Sequence, residues 1–502
     1  MSSYRPTMTP LPTLPLLLWD TPPGLELALA QEGIAFRVVR DPHPLAFQGG
    51  RFVLFDGQRL APAAVRARLS SEHVGIDVAL LRSGEPVDPF QALVDTRSAL
   101  TRWVVGGYAL TERVSRFRKA AVRRRLLERL RLAVTSAGGL WARLAPYPFP
   151  YRSAFSFRAD LDETCVDDYA RFARARHRLA DCCTHFVSTA AYGEEASVLQ
   201  DLLRFDTQSH GHHHVIYRDA EANRRNLTRA HECLCESGFE PIGFAAPHGR
   251  WNLGLDQVLE DLGYVYSSDF QLGHDDLPFF PWCGDRFSRV LQVPIHPICE
   301  GLFLEAGATK GRVVAEHLAQ VVRMRIDEGE PAFVYGHPER RLGRYPEVLA
   351  ALDAVISGEP LLWRVTLTEF ALWWRWRNER LSLWSIVPRL DGRFEVQFDD
   401  WCGQFPLALE VTRGRHVAAV PVEGPLTSLR LEELAYEWRP EPSGWPEPSL
   451  VSRSLSLKAA VREALDWETV TPLDELPADT LTARVKKGLR WWKESQGEGV
   501  GR

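Results

Sequence analysis

Between residues 151 and 380 the chain alternates short apolar runs with longer segments of helical texture. Runs at 154–160, 184–188, 205–209, 243–246, 264–267, 290–295 and 332–335 read as strands, each ending in polar or turn residues. Helices are expected at 167–180, 194–203, 220–237, 255–262, 311–327 and 346–356. Strand and helix alternating in this way imply a parallel sheet closed towards a barrel. A further helix follows 365–370 and carries Trp373, Trp374 and Trp376. These three read as core and interface residues rather than as a sugar platform.

The flanks have a different texture. Residues 14–81 read as a small α/β unit, with strands at 16–20, 36–39, 51–55 and 76–81 and a helix at 24–32. That unit has no Gly-x-Gly-x-x-Gly or other phosphate-cradling loop, so packing or assembly is its expected role. Residues 109–144 read as one basic amphipathic helix, in which Arg113, Arg116, Arg118, Lys119, Arg123, Arg124, Arg125, Arg129 and Arg131 alternate with apolar positions. Such a helix is either a solvated face packed on a domain or a contact for an anionic membrane surface or a phosphate-bearing substrate. After residue 380, alternation at 394–398, 407–411 and 417–420 reads as a small antiparallel β domain. A linker at 440–448 and a basic helix at 481–494 follow. The expected division is therefore 1–108, a small α/β domain; 109–150, a basic helical linker; 151–380, an α/β barrel; and 381–502, a β-rich domain with a terminal helix.

Composition narrows the classes. A chain of 502 residues is too long for one ordinary domain. Hydrophobic residues at 45% and charged residues at 25% are ordinary for a globular protein, and a net charge of -5 argues against a protein that coats nucleic acid. No run of apolar residues is long enough to span a membrane, and the first ten residues lack the basic and apolar regions of an export signal. The eight cysteines show no zinc-finger spacing and read as reduced thiols, with Cys299 the one considered as a ligand. The expected location is cytoplasmic.

The candidate chemistry gathers at the ends of the barrel strands. In the sequence from Asp206 to His214, four histidines fall within five positions, and His210 and His214 are four apart. On a helical turn that spacing places both rings on one face, where they can share a divalent cation with a third ligand. Upstream, alternation from Phe155 places Arg158, Asp160 and Asp162 on one face of a strand, opposite Phe155 and Phe157. Two acids at a strand end are costly to bury unless they bind something. Downstream lie Pro247, His248, Gly249, Arg250 and Trp251, then Asp269, then His296, then His337.

This order of motifs resembles the polysaccharide deacetylase family, the NodB-homology or carbohydrate esterase family 4 enzymes. The residues from Phe157 to Asp162 match the family's Thr-Phe-Asp-Asp strand, and His210 and His214 match its His-Ser/Thr-x-x-His spacing. Pro247, His248 and Gly249 match its Pro-aromatic-Gly segment, and His337 its late strand ending in His. The resemblance covers about residues 150–380. It implies a distorted (β/α)7 barrel, a divalent metal held by Asp162, His210 and His214, with zinc the first choice, Asp160 as the base and His337 as the acid. It implies a metal-dependent hydrolase that removes N-acetyl groups from a carbohydrate substrate, with Pro247, His248, Gly249, Trp251, Asp269 and His296 around the cleft. Two positions depart from the family pattern. Leu161 separates the two acids, and Ala245 stands where the family has an arginine that orients the base. Arg158 and Arg250 are the candidates to replace that guanidinium, and Arg158 has Glu163 and Asp269 as alternative partners. The competing readings are a hydrolase of another C–N bond on the same barrel and an inactive barrel that binds glycan or scaffolds a complex.

Overall fold

The computed structural model describes residues 11–439, apart from 309, 340 and 341, together with 449, 450 and seven positions between 481 and 492. The expected linker at 440–448 and half of the expected helix at 481–494 lie outside the described residues.

The barrel follows the expected alternation. Its strands are Ser153–Leu161, Cys183–Val187, Asp206–Ser209, Gly243–Ala245, Tyr266–Ser268, Leu291–Gln292 and Ala332–Gly336. All pair in parallel, and the sheet runs from Leu291–Gln292 back through the first strand to Ala332–Gly336. An eighth strand, Leu362–Arg364, pairs with the beginning of Ser153–Leu161. Three residues carry too little alternation to mark it in the sequence. Between the two ends of the sheet, the His296 N–H donates to the Phe333 carbonyl at 2.9 Å. Every residue of Ser153–Leu161 is buried, as expected for a parallel strand covered on both sides.

The helices pack around this sheet close to their expected positions, among them Val166–Arg176, Ala220–Glu236, Leu253–Asp261, Gly311–Asp327 and Glu347–Ile356. The tryptophan-bearing helix, Leu367–Glu379, begins at a capping box in which the Thr366 hydroxyl and the Glu369 carboxylate each hold the other's backbone N–H. Trp374 faces the barrel core, while Trp373 and Trp376 enter a second core shared with the flanking segments. All three are buried, in line with the core reading.

The N-terminal unit is a four-stranded parallel sheet in the order Phe36–Val39, Leu16–Trp19, Phe52–Phe55, Val74–Asp77. Its helix, Pro23–Glu32, starts on a proline and stops at Gly33, whose φ of 83° lets its N–H return to Leu29. The strand expected to reach residue 81 ends at Asp77. There the Asp77 carboxylate accepts from Ala79 N at 2.9 Å and turns the chain into a 3-10 helix, Val78–Arg82.

The expected basic helix at 109–144 is corrected at both ends. Ser98–Val105 and Tyr108–Ser115 form an antiparallel hairpin around Gly106 and Gly107, both at positive φ. Trp103, Leu110 and Val114 enter the barrel core from it. The helix itself is Lys119–Ser136, and Trp141–Leu144 is a strand paired antiparallel with Leu407–Arg413. Helical periodicity in its middle masked the strand alternation on either side. The basic face, for which a solvated face packed on a domain and a contact with an anionic surface were the two expectations, is largely ion-paired within the protein. Arg123 is buried between Glu32 and Asp276, Arg124 bonds Glu330 at 2.9 Å, and Arg125 and Arg129 both reach Glu85.

Beyond the barrel, Trp384–Pro388, Phe394–Phe398 and Leu426–Leu429 form one antiparallel sheet. Leu407–Arg413 pairs with His416–Val422 in another. Their inward residues join those of the N-terminal unit and of helix Lys119–Ser136 in a single core. All eight cysteines are free thiols.

Candidate active site

The carboxyl end of strand Ser153–Leu161 delivers both acids, and the strand's alternation aligns them with Arg158. The Arg158 guanidinium grips Asp160 with two bonds, Nε to Oδ1 at 2.7 Å and Nη2 to Oδ2 at 2.5 Å. Its remaining nitrogen, Nη1, donates to the Ser268 carbonyl at 2.5 Å. The rings of Tyr335 and Phe186 lie 5.0 and 5.6 Å from the guanidinium carbon. Both members of the pair are buried, at 1% and 2% exposure. Burial pushes the Asp160 carboxyl up, but Arg158 and then His210 outweigh it and hold the group below its ordinary range. Neither Glu163 nor Asp269 is hydrogen-bonded by Arg158. Arg250, the other candidate, acts electrostatically on Glu112.

Asp162 sits one residue past the strand, with histidines on both carboxylate oxygens. His210 Nε2 lies 3.2 Å and His214 Nε2 3.4 Å from Oδ1, and His337 Nε2 lies 3.4 Å from Oδ2. The two motif histidines are not on a helix. They follow strand Asp206–Ser209 in a turn that reverses at Gly211, with φ 86°. That turn still brings the rings to 4.9 Å. His210 Nδ1 donates to the Ala245 carbonyl at 2.7 Å, which fixes Nε2 as the bare nitrogen. Asp162 Oδ1 and His210 Nε2 are both buried without a hydrogen-bond partner. Burial raises the Asp162 carboxyl, yet His214, His337 and His210 together hold it well below the usual carboxylate range. One carboxylate oxygen and two imidazole nitrogens converge here, which is the donor set of a divalent cation with an open position. The residues present therefore fit a metal.

His337 ends strand Ala332–Gly336 and is held by Glu300, a residue without a motif. The Glu300 Oε1 atom accepts from His337 Nδ1 at 2.7 Å and from its backbone N–H at 2.8 Å. In the sequence Glu300 looks like any acid in the first turn of a helix, here Glu300–Glu305. Glu339 was equally hidden. It is 4% exposed, bonded to the Tyr192 hydroxyl at 2.5 Å, and pushed up to about 8 by burial and by the Asp162 charge.

The remaining cleft candidates divide. His248 is exposed at φ 57°, with its ring 4.8 Å from that of His214, so it stands at the mouth of the site. Pro247 and Gly249 are buried beside it. A Cβ on Gly249, itself at φ 58°, would meet the Phe270 ring at 2.4 Å. Asp269 anchors the same loop by accepting from Ala246 N at 3.0 Å and from Ser267 Oγ at 2.7 Å, and burial pushes it up to about 6. Trp251 packs instead with Leu27, Leu272 and Phe279, beside the N-terminal helix. His296 is buried and turned to Asp275, at 3.0 Å, and to His317, at 3.3 Å. His212 and His213, the other two histidines of the stretch from Asp206 to His214, are buried. His212 Nδ1 lies 2.9 Å from the Thr189 hydroxyl, and the His213 N–H donates to Asn226.

No family model matches the chain, and no curated protein matches it. Solved structures do resemble part of it. A putative polysaccharide deacetylase from Mycobacterium smegmatis is 20% identical, with 46% of this chain and 94% of that one covered and a TM-score of 0.40. A probable polysaccharide deacetylase from Pseudomonas aeruginosa PAO1 is 20% identical over 46% and 94% of the two chains, with a TM-score of 0.39. The Puue allantoinase is 19% identical over 46% and 93%, with a TM-score of 0.39.

Proposed function

We propose that the barrel is a metal-dependent deacetylase that hydrolyses the N-acetyl amide of an N-acetylated sugar. One observation carries the reading. A buried base, Asp160, gripped by Arg158, stands beside the converging Asp162–His210–His214 donor set, with a carboxylate-held histidine, His337, facing the same Asp162.

Asp162, His210 and His214 would hold the metal; when bound, it supplies Lewis acidity and lowers the pKa of water. The residues of the chain do the rest. Asp160, kept ionised by Arg158, takes a proton from the attacking water. The bidentate grip fixes the carboxylate's orientation, so the proton is received at a defined oxygen. His337 presents Nε2 to the site, and Glu300 at Nδ1 stabilises its protonated form. It can therefore give a proton to the departing amine nitrogen. Arg158 would thus do the work that the family assigns to the residue replaced here by Ala245. Free thiols at all eight cysteines fit a reducing compartment such as the cytoplasm. Among the described residues no helix is long and apolar enough to cross a membrane.

The test is acetate release from a panel of N-acetylated mono- and oligosaccharides by metal-loaded protein. Release by the parent and its loss in Asp160→Asn, with metal content unchanged, supports the reading. Acetate release unaffected by Asp160→Asn would overturn it.

A further inference from the structure

The His337 imidazole belongs to two clusters. Its Nε2 faces Asp162, and its Nδ1 faces Glu300, whose neighbour in the chain is Cys299. The donor atoms of Cys299, Glu300 and His337 all lie within 4.8 Å of one another, and all three residues are buried. Gly336 lets the carboxylate come this close, because a Cβ there would meet Glu300 Oε2 at 2.5 Å.

We propose that Cys299, Glu300 and His337 form a second divalent-metal site, filled at excess metal, whose occupation turns the hydrolase off. The inhibitory role rests on the proposed function; the metal binding does not. The donor types select the ion. A thiolate, an imidazole and one carboxylate suit Zn²⁺ or Co²⁺ and not the hard ions Mg²⁺ or Ca²⁺. Charge favours a divalent ion as well, because one thiolate and one carboxylate neutralise it and leave no net charge in a buried place.

The site is weaker than the Asp162 site for a reason visible in the hydrogen bonds. Asp162 Oδ1 and His210 Nε2 have no partner to give up. Binding at Cys299 must instead displace the 2.7 Å bond between His337 Nδ1 and Glu300 and release the thiol proton to solvent. The proton on Nδ1 moves to Nε2 as the metal takes Nδ1. His337 is then a metal-bound neutral imidazole. It can no longer become the imidazolium that donates to the leaving amine, so the acid is lost while the Asp162 site stays intact.

The probe is Co²⁺ titrated into metal-stripped, full-length protein, followed by near-ultraviolet absorption, bound metal and turnover. The parent should take one equivalent without thiolate-to-cobalt charge-transfer absorption. A second should then bring that absorption in, with turnover falling about 10²-fold or more in step. Cys299→Ser should show neither the absorption nor the inhibition, and should turn over normally with one equivalent. Cys299→Ala serves if the serine variant fails to fold. His210→Ala should lose the first equivalent and keep the absorption, which separates failure of the second site from failure of the hydrolase reading. No charge-transfer band in the parent at excess Co²⁺, or a band that survives removal of Cys299, overturns the proposal.

Discussion

Replacing Arg158 with alanine should damage both the proposed base, Asp160, and the fold, and the two effects can be separated. Arg158 and Asp160 are each about 98% or more buried and joined by two bonds of 2.7 and 2.5 Å. Removing one partner of a buried pair leaves the other charge uncompensated, at a cost of about 3–5 kcal/mol. Part of that cost is avoided if Asp160 takes up a proton, since burial alone raises its pKa. The base is then protonated over a wider range. Arg158→Ala should therefore lose about 10²–10⁴ in turnover, the range expected on disabling a general base. The acidic limb of its pH–rate profile should move to higher pH. Arg158→Lys should recover little, because an ammonium cannot span both oxygens. The profile is measured on variants shown by circular dichroism to be folded at the assay temperature. A normal rate with an unshifted acidic limb would remove Arg158 from the mechanism.

Three further outcomes follow from buried groups. Reversing Arg123 to glutamate places a third carboxylate against Glu32 and Asp276 and should cost at least about 3–5 kcal/mol in urea unfolding; an unchanged midpoint contradicts the ion-pair account of this helix. Glu339 keeps its proton in the folded state up to about 8, against an ordinary value of 4.5. Metal-free protein should lose stability as pH rises from about 5 to about 8, by on the order of 4 kcal/mol at most. Glu339→Gln should flatten that slope in thermal melts, and an unchanged slope argues that Glu339 is ionised. Gly249→Ala forces a Cβ into the Phe270 ring at a left-handed position. It should lower the melting temperature, and an unaltered melt would show the loop to be freer than its packing indicates.

The barrel was legible because its strands are buried on both sides and its intervening helices are long enough to show their period. The strand Ser153–Leu161 carried its functional pattern openly, since alternation alone puts Arg158, Asp160 and Asp162 together. Elsewhere a locally strong signal misled. The arginine-rich period of Lys119–Ser136 swallowed the hairpin strand before it and Trp141–Leu144 after it, whose strand character depends on a partner more than 260 residues away. The same arginines looked solvated because their partners, Glu32, Asp276 and Glu330, come from distant segments. The histidine pair converges through a glycine turn rather than a helix, so the spacing gave the right neighbours for the wrong local reason. Glu300 and Glu339 were invisible because a lone acid carries no periodicity. Only the approach of Glu300 to His337 and of Tyr192 to Glu339 gives them meaning.

The most direct test of the central claim is the metal content of the purified, dialysed protein beside His210→Ala and Asp162→Asn. The account predicts one divalent ion per chain in the parent and near-complete loss in both variants. Circular dichroism should show both variants folded, because the bare His210 Nε2 and Asp162 Oδ1 serve no hydrogen bond in the fold and His210→Ala gives up only the bond from Nδ1 to the Ala245 carbonyl. Equal metal content in parent and variants would contradict it.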